Sequence, residues 1–273
     1  MTAIADLSVF CTEEGGGNPL GIVYTDDPVR TFSKDRCLEL VSASGHPELI
    51  FVSTAEWEKR RLLQARIFAP KTELSFAGHP LVGLAAHYCS ERNLREPWKI
   101  RVPATEAFAW ANDDFGWIRV APPPLASGPK DIFSILDALR ADALDLSPRM
   151  PSAKGGYGDP HLILAFADPE RLLEIDPDMA ALSELGDAAH GVLCFAIRGG
   201  DVTARFFAPG IGIDEDSGTG SAALSLAAFL SRYWRMAPQD FTVTQGHRTG
   251  RLCKLYVRRR ESGIELGGRV RIL

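Results

Sequence analysis

The chain lacks the cysteine pattern of a disulfide-built protein. Its five cysteines, Cys11, Cys37, Cys89, Cys194 and Cys253, are scattered, odd in number and without a CxxC pair. That usage points to reduced thiols and a cytoplasmic setting. The six histidines show no HxH or HExxH spacing, so no metal cluster is expected. Neither GxGxxG nor GxxxxGK[ST] occurs, so no nucleotide cofactor is implied. No stretch approaches the roughly 20 apolar residues that span a bilayer. The longest apolar stretches lie around Leu81–Ala86 and Ala222–Leu230. The opening residues Met1-Thr2-Ala3-Ile4-Ala5-Asp6 lack a basic region before an apolar core, so a signal peptide is not expected. A net charge of −5 gives no basis for binding nucleic acid or a membrane. The basic run Arg258-Arg259-Arg260, followed by Glu261-Ser262-Gly263, reads as a solvated hairpin end.

What is present is a repeat. Arg66-Ile67-Phe68-Ala69-Pro70 leads into Glu73-Leu74-Ser75-Phe76-Ala77-Gly78-His79-Pro80, and Arg205-Phe206-Phe207-Ala208-Pro209 leads into Asp214-Glu215-Asp216-Ser217-Gly218-Thr219-Gly220-Ser221. A small-residue apolar run follows each copy. A strand, a polar loop and an apolar helix are thus expected once in each half. A helix that is apolar on every face must be buried on every face, and a sheet curled around it is the simple solution. The expected architecture is α+β, two similar half-domains, each a curved, mostly antiparallel sheet or barrel around a central helix. The site falls in the cleft between them. Pro122-Pro123-Pro124 cannot sit inside a helix or central strand and marks the boundary. Residues 1–121 form the first half and 122–263 the second, with 264–273 returning to the first. At 273 residues the chain is long enough for both.

Local spacing supplies further expectations. Helices are predicted over 79–90, 132–143 and 221–232, and strands include 6–10, 20–24, 49–52, 62–68, 161–166, 192–197 and 203–207. Glycine lets backbone approach a ligand, and the unpaired N–H groups at a helix start favour a carboxylate or phosphate. Gly78 and Gly220, at the two helix starts, are therefore candidate binders of a small anionic substrate. Taken alone, the first loop reads rather as an ordinary glycine-containing helix start with a capping His. The second copy adds three carboxylates and two hydroxyls beside an apolar helix, where desolvation penalises each charge. His79 and Ser221 hold equivalent places after the glycine and are expected to face each other across the cleft. From spacing alone, Glu48 reads as a surface acid at a strand edge, Asn18 as a turn residue, and Ser221 as a helix cap.

Four motifs then carry a resemblance that runs essentially end to end. They are Val9-Phe10 with Gly16-Gly17-Asn18-Pro19-Leu20, Pro47-Glu48 through Phe51-Val52, Glu73 through Pro80, and Asp216 through Thr219-Gly220-Ser221-Ala222. In this order the chain resembles the phenazine-biosynthesis PhzF-like family, which shares the diaminopimelate-epimerase fold. The resemblance implies a cofactor-independent isomerase of a small carboxylate-bearing substrate, with a homodimeric assembly. The family's catalytic glutamate falls on Glu48, its site histidine on His79, its aspartate on Asp216 and its serine on Ser221. Asn18, Gly78 and Gly220 join Ser221 as substrate-binding candidates. Two departures stand out: Asp216-Ser217 replaces the usual Asp-Pro, and Ser44-Gly45-His46-Pro47 replaces the usual Asn-Leu-Ser. The two-thiol epimerases of the same fold carry a cysteine just before each motif glycine. Those positions are Ala77 and Thr219 here, and neither can serve as a thiolate base. An epimerase using Glu48 with a second carboxylate such as Asp216, and a binding protein without chemistry, remain as alternatives.

Overall fold

The computed structural model describes residues 4–25, 32–186, 191–234 and 236–273. Strands β1 (Ala5–Cys11) and β2 (Asn18–Thr25) open the chain, followed by a helix at Lys34–Ser44 and β3 (Leu49–Ser53). Next come β4 (Leu62–Ala69), β5 (Thr72–Leu74) and the first central helix, Gly78–Arg92. Strands β6 (Trp98–Val102), β7 (Thr105–Asn112) and β8 (Phe115–Val120) complete the first half of the sequence.

The second half repeats this order. Strand β9 (Leu125–Ser127) precedes β10 (Ala153–Gly155), β11 (His161–Ala165), β12 (Val192–Arg198), β13 (Asp201–Ala208) and β14 (Ile213–Asp216). The second central helix, Gly220–Tyr233, leads to β15 (Asp240–Gln245), β16 (Cys253–Arg260) and β17 (Gly263–Ile272).

The pairing closes a ring. From β1 it runs through β2, β3, β4, β6, β7 and β8 to β17, which pairs back onto β1. The first central helix fills this barrel and is buried from Gly78 through Cys89. Its sequence explains why: no charge occurs before Glu91, so no face tolerates water. Each fully buried Leu or Val there contributes about 1.5–3 kcal/mol relative to exposure. The second sheet has the same alternation of parallel and antiparallel pairs through β10, β11, β12, β13, β15, β16 and β17, with β9 beside β10. The second central helix is buried from Gly220 through Leu230 inside it. The C-terminal strand thus belongs to both sheets: β17 pairs with β16 and also with β8 and β1. Among the described residues, no helix is long and apolar enough to cross a membrane.

One element is shorter than its spacing predicts. The helix expected over 132–143 spans only Phe133–Leu139, because Arg140 adopts a left-handed conformation (φ 51°) and ends it. A separate turn follows at Ala143–Asp145, capped by Asp142. Asp and Ser-type caps compete with helix continuation in this way.

Candidate active site

The strand registers superimpose the two halves. Phe51 pairs with Arg66 where Cys194 pairs with Arg205, and Gly21 pairs with Leu49 where Leu162 pairs with Val192. Glu73 and Glu215 are equivalent, and each takes a two-pronged bond from its arginine. The Arg66–Glu73 distances are 2.7 and 2.9 Å, and those of Arg205–Glu215 are 2.9 and 2.8 Å. These pairs pin β5 and β14, which lead into the two glycine loops. The same superposition matches Gly17-Asn18-Pro19-Leu20 with Gly158-Asp159-Pro160-His161, a third repeated motif. Each copy reaches across to the other half. Asn18 Nδ2 donates to Asp216 Oδ1 at 2.7 Å, and Ser75 Oγ donates to Asp159 Oδ2 at 2.7 Å.

The two central helices meet at their starts. A Cβ on Gly78 would lie 2.6 Å from the carbonyl carbon of Gly220, and one on Gly220 would lie 2.7 Å from the Cα of Gly78. Only glycine permits this approach. Neither helix is capped by a side chain: the cap positions Ala77 and Thr219 make no such bond. Two sets of unpaired N–H groups and two positive dipole ends therefore converge on one place. Gly220→Ala is expected to force the helix starts apart and lower kcat/KM about 100-fold, the scale of an ångström of misplacement. Steady-state kinetics beside a melting curve checks this, and unchanged kinetics in a folded variant contradicts it.

A narrow pocket opens beside this junction, lined by Glu48, Asp216, His161, Ser221, Phe76 and Phe206 among others. The Tyr157 and Phe76 rings lie 4.6 Å apart along its wall. Asp216 is held firmly. Its Oδ1 accepts from Asn18, its Oδ2 accepts from Thr219 Oγ1 at 2.6 Å, and Gln245 Nε2 bonds its carbonyl at 2.7 Å. Gln245 Oε1 also accepts from the Thr219 N–H at 3.2 Å, which fixes the loop.

Three spacing-based expectations need correction. Glu48 is not a surface acid: it is 6% exposed, and Oε2 has no hydrogen-bond partner. Gly45, in a left-handed conformation (φ 74°), ends the preceding helix and turns the chain inward. Parallel pairing of β3 with β2 then sets Glu48 beside Leu20 and Gly21, and the Gly21 N–H donates to the Glu48 carbonyl at 3.5 Å. Asn18 is not a turn residue but the first residue of β2, and it is 1% exposed. Ser221 is not a cap: it lies inside the helix, and Thr219 holds the cap position. Nor do His79 and Ser221 share partners. Ser221 Oγ meets His161 Nε2 at 3.0 Å, whereas His79 Nδ1 lies 3.7 Å from Glu48 Oε2.

The electrostatics of Glu48 and His79 favour uncharged forms. Burial raises the Glu48 carboxyl well above the ordinary carboxylate range, and the Asp216 charge raises it further. Burial lowers His79 to about 4, against the raising effects of Asp216 and of a hydrogen bond to the Pro19 carbonyl. Both shifts oppose an ion pair, and the 3.7 Å contact is too long for a direct bond. His79 is 2% exposed and stands behind Glu48, with Nε2 unpartnered.

The spacing missed His161, Tyr157 and Gln245. His161 was detectable through Asp159-Pro160, which repeats Asn18-Pro19 ahead of a strand. Glu48 has no such echo, since its counterpart by register is Gly191.

Paired sheets wrapped on two helices that meet glycine to glycine define the diaminopimelate-epimerase-like class of α+β enzymes. Comparison with known proteins narrows the class. The sequence pattern of the phenazine biosynthesis-like family PhzC-PhzF matches residues 7–271, and the chain belongs to that family. A relative from Pseudomonas aeruginosa, trans-2,3-dihydro-3-hydroxyanthranilate isomerase, is 29% identical over 96% of this chain and 94% of its own. The solved structure of a predicted epimerase, also from Pseudomonas aeruginosa, is 26% identical. It covers 100% of this chain and 97% of its own, with a TM-score of 0.82. A hydroxyproline epimerase from Agrobacterium vitis shares the fold at 12% identity and a TM-score of 0.65, covering 99% and 90%. The chain is an isomerase of the PhzF type, acting on a small substrate.

Proposed function

We propose that the chain moves a proton within a small carboxylate-bearing substrate, without a cofactor, and that Glu48 is the general acid/base. The carrying observation is the carboxyl of Glu48. It is buried, has Oε2 unpartnered, and lines the pocket that also contains Ser221, beside the helix junction. In this reading the substrate carboxylate lies against the N–H groups at Gly78 and Gly220 and the Ser221 hydroxyl. Glu48 in its ionised form takes a proton from an activated carbon and returns it to another carbon of the conjugated system. The N–H groups stabilise the charge that develops meanwhile. His79 and Asp216 orient the carboxyl and the substrate's polar groups, with Asn18 holding Asp216. His161 sets the Ser221 hydroxyl. Asp216 offers little as a second base because both its oxygens already accept hydrogen bonds. That favours proton relocation over a two-carboxylate epimerisation. The dihydroaromatic acid named for the Pseudomonas aeruginosa relative is the first compound to assay. A homodimer in the cytoplasm completes the proposal, and sedimentation equilibrium tests the assembly.

The pH dependence follows from the shifts. Catalysis needs ionised Glu48, so kcat/KM is expected to rise with pH through a midpoint above the ordinary carboxylate range. A limb near pH 4 contradicts this assignment, since roughly that value belongs to an unperturbed glutamate. Stability behaves differently. Glu48 holds its proton more tightly when folded, so its contribution is full below the ordinary value and is lost as pH rises through the raised one. His79 is opposite. Its contribution is full above about 6.5 and is lost as pH falls towards about 4.

A further inference from the structure

A second chamber adjoins the pocket. It has a volume of about 530 Å³, within the range usual for small-molecule sites, and both cavities are lined by Ile213 and Asp216. It lies between the halves: Ser42, His46 and Pro47 come from the first, and Ser217, Thr249 and Arg251 from the second. Pro47 immediately precedes Glu48, so the chamber reaches the back of the segment that presents the carboxyl.

The lining charges are mostly committed. Glu215 is bound in two-pronged fashion by Arg205, and Asp216 is held by Asn18 and Thr219. His46 Nε2 lies 3.1 Å from Asp6 Oδ1. Arg251 is different. Among the described residues it has no carboxylate within ion-pair distance, although it borders a chamber containing three hydroxyl side chains. The loop that carries it is fixed. Gly246 and Gly250 take left-handed conformations (φ 89° and 72°), and Thr249 Oγ1 accepts from the Arg251 N–H at 3.3 Å. The same Oγ1 donates to the Gly246 carbonyl at 3.1 Å and accepts from Ser217 Oγ at 2.9 Å, so one turn fixes both hydroxyls and leaves the Arg251 guanidinium as the uncommitted donor. Ser217 is the residue that replaces the usual proline of the family motif, and it supplies one of those hydroxyls.

We propose that this outer chamber is a subsite for an anionic oxygen group, carboxylate or phosphate, centred on Arg251, whose backbone the Ser217–Thr249 turn fixes. For the substrate, this rests on the inner pocket being the reaction site: it implies an acid group at each end of the bound molecule. One group lies at the helix junction and the other at Arg251. A guanidinium fork matches the oxygens of planar and tetrahedral oxyanions.

The test uses the full chain, labelled with nitrogen-15, and inorganic phosphate or glutarate at millimolar concentration, with butyrate as a single-acid control. Phosphate is expected to shift the amide signals of Ser217, Thr249 and Arg251. Arg251→Gln should weaken phosphate binding about tenfold, the loss of one charge-assisted contact. Arg251→Lys should retain most of it, and Ser221→Ala should leave it unchanged. Glutarate is expected to bind more tightly than butyrate in the parent and no more tightly in Arg251→Gln. The proposal is overturned if phosphate fails to bind, if its shifts are confined to Gly220 and Ser221, or if Arg251→Gln binds it unchanged. The two readings fail separately. An active Glu48→Gln enzyme removes the reaction site while the phosphate shifts at Arg251 stand.

Discussion

Glu48→Gln is expected to reduce turnover to background. Acid/base catalysis by one positioned group contributes about 10²–10⁴. In the proposed reaction the same carboxyl both removes and returns the proton, so a loss of at least roughly 10³ is expected. The substitution keeps the shape and adds no charge. Because burial already favours the neutral carboxyl, the folded state loses little. The variant should melt at or above the parent temperature at alkaline pH, where the parent must bury a carboxylate, and this margin should vanish at acid pH. Binding of a carboxylate ligand at the helix junction should survive. A Glu48→Gln enzyme with parental kcat contradicts the assignment, and a variant that unfolds contradicts the claim that burial disfavours the Glu48 charge.

The second large effect concerns stability. Arg205→Met should cost about 3–5 kcal/mol, because it strands the Glu215 charge in the interior. The Arg205 side chain is 3% exposed and Glu215 13%, and Arg205 also donates to the Ile175 carbonyl at 2.6 Å. The equivalent change in the first half, Arg66→Met, should cost only about 1 kcal/mol, since solvent screens a more exposed pair. That pair is 31% and 22% exposed. Urea denaturation of the two variants checks the contrast. Equal losses would show that burial does not control these repeated pairs. Arg205→Met should also lower activity in the folded fraction, since β14 carries Asp216 directly beside Glu215.

Some of this architecture is legible in the chain itself. The two helices announce themselves by being apolar on every face, and their glycines mark where they meet. The Arg-Phe-Ala-Pro leaders identify the equivalent strands β4 and β13. Other features depend on pairing that no local pattern reveals. Glu48 precedes an apolar strand, as many surface acids do, and only the parallel alignment of β3 with β2 buries it. His161 lies 60 residues from Ser221, and the Asn18–Asp216 bond spans 198 residues. The arginines were visible as repeat markers, yet their partners, seven and ten residues away, lie across a strand turn rather than at a helical spacing. His79 and Ser221 occupy matched positions, but their side chains serve different neighbours because Glu48 exists in only one half. The repeat supplies a symmetric cradle, and its asymmetry comes from Glu48 on one side and the Ser221–His161 contact on the other.

The most direct measurement follows the proton. A panel of unsaturated carboxylic acids, including the relative's named substrate, would first identify a compound that the parent enzyme converts. Parent and Glu48→Gln enzymes would then act on it in heavy water, with product read by proton NMR and mass spectrometry. The account predicts that the parent relocates a proton to a new carbon, with deuterium at that carbon to the extent that Glu48 exchanges with solvent. Glu48→Gln should form no rearranged product and label no substrate. Rearrangement or labelling by Glu48→Gln at the parental rate would contradict it.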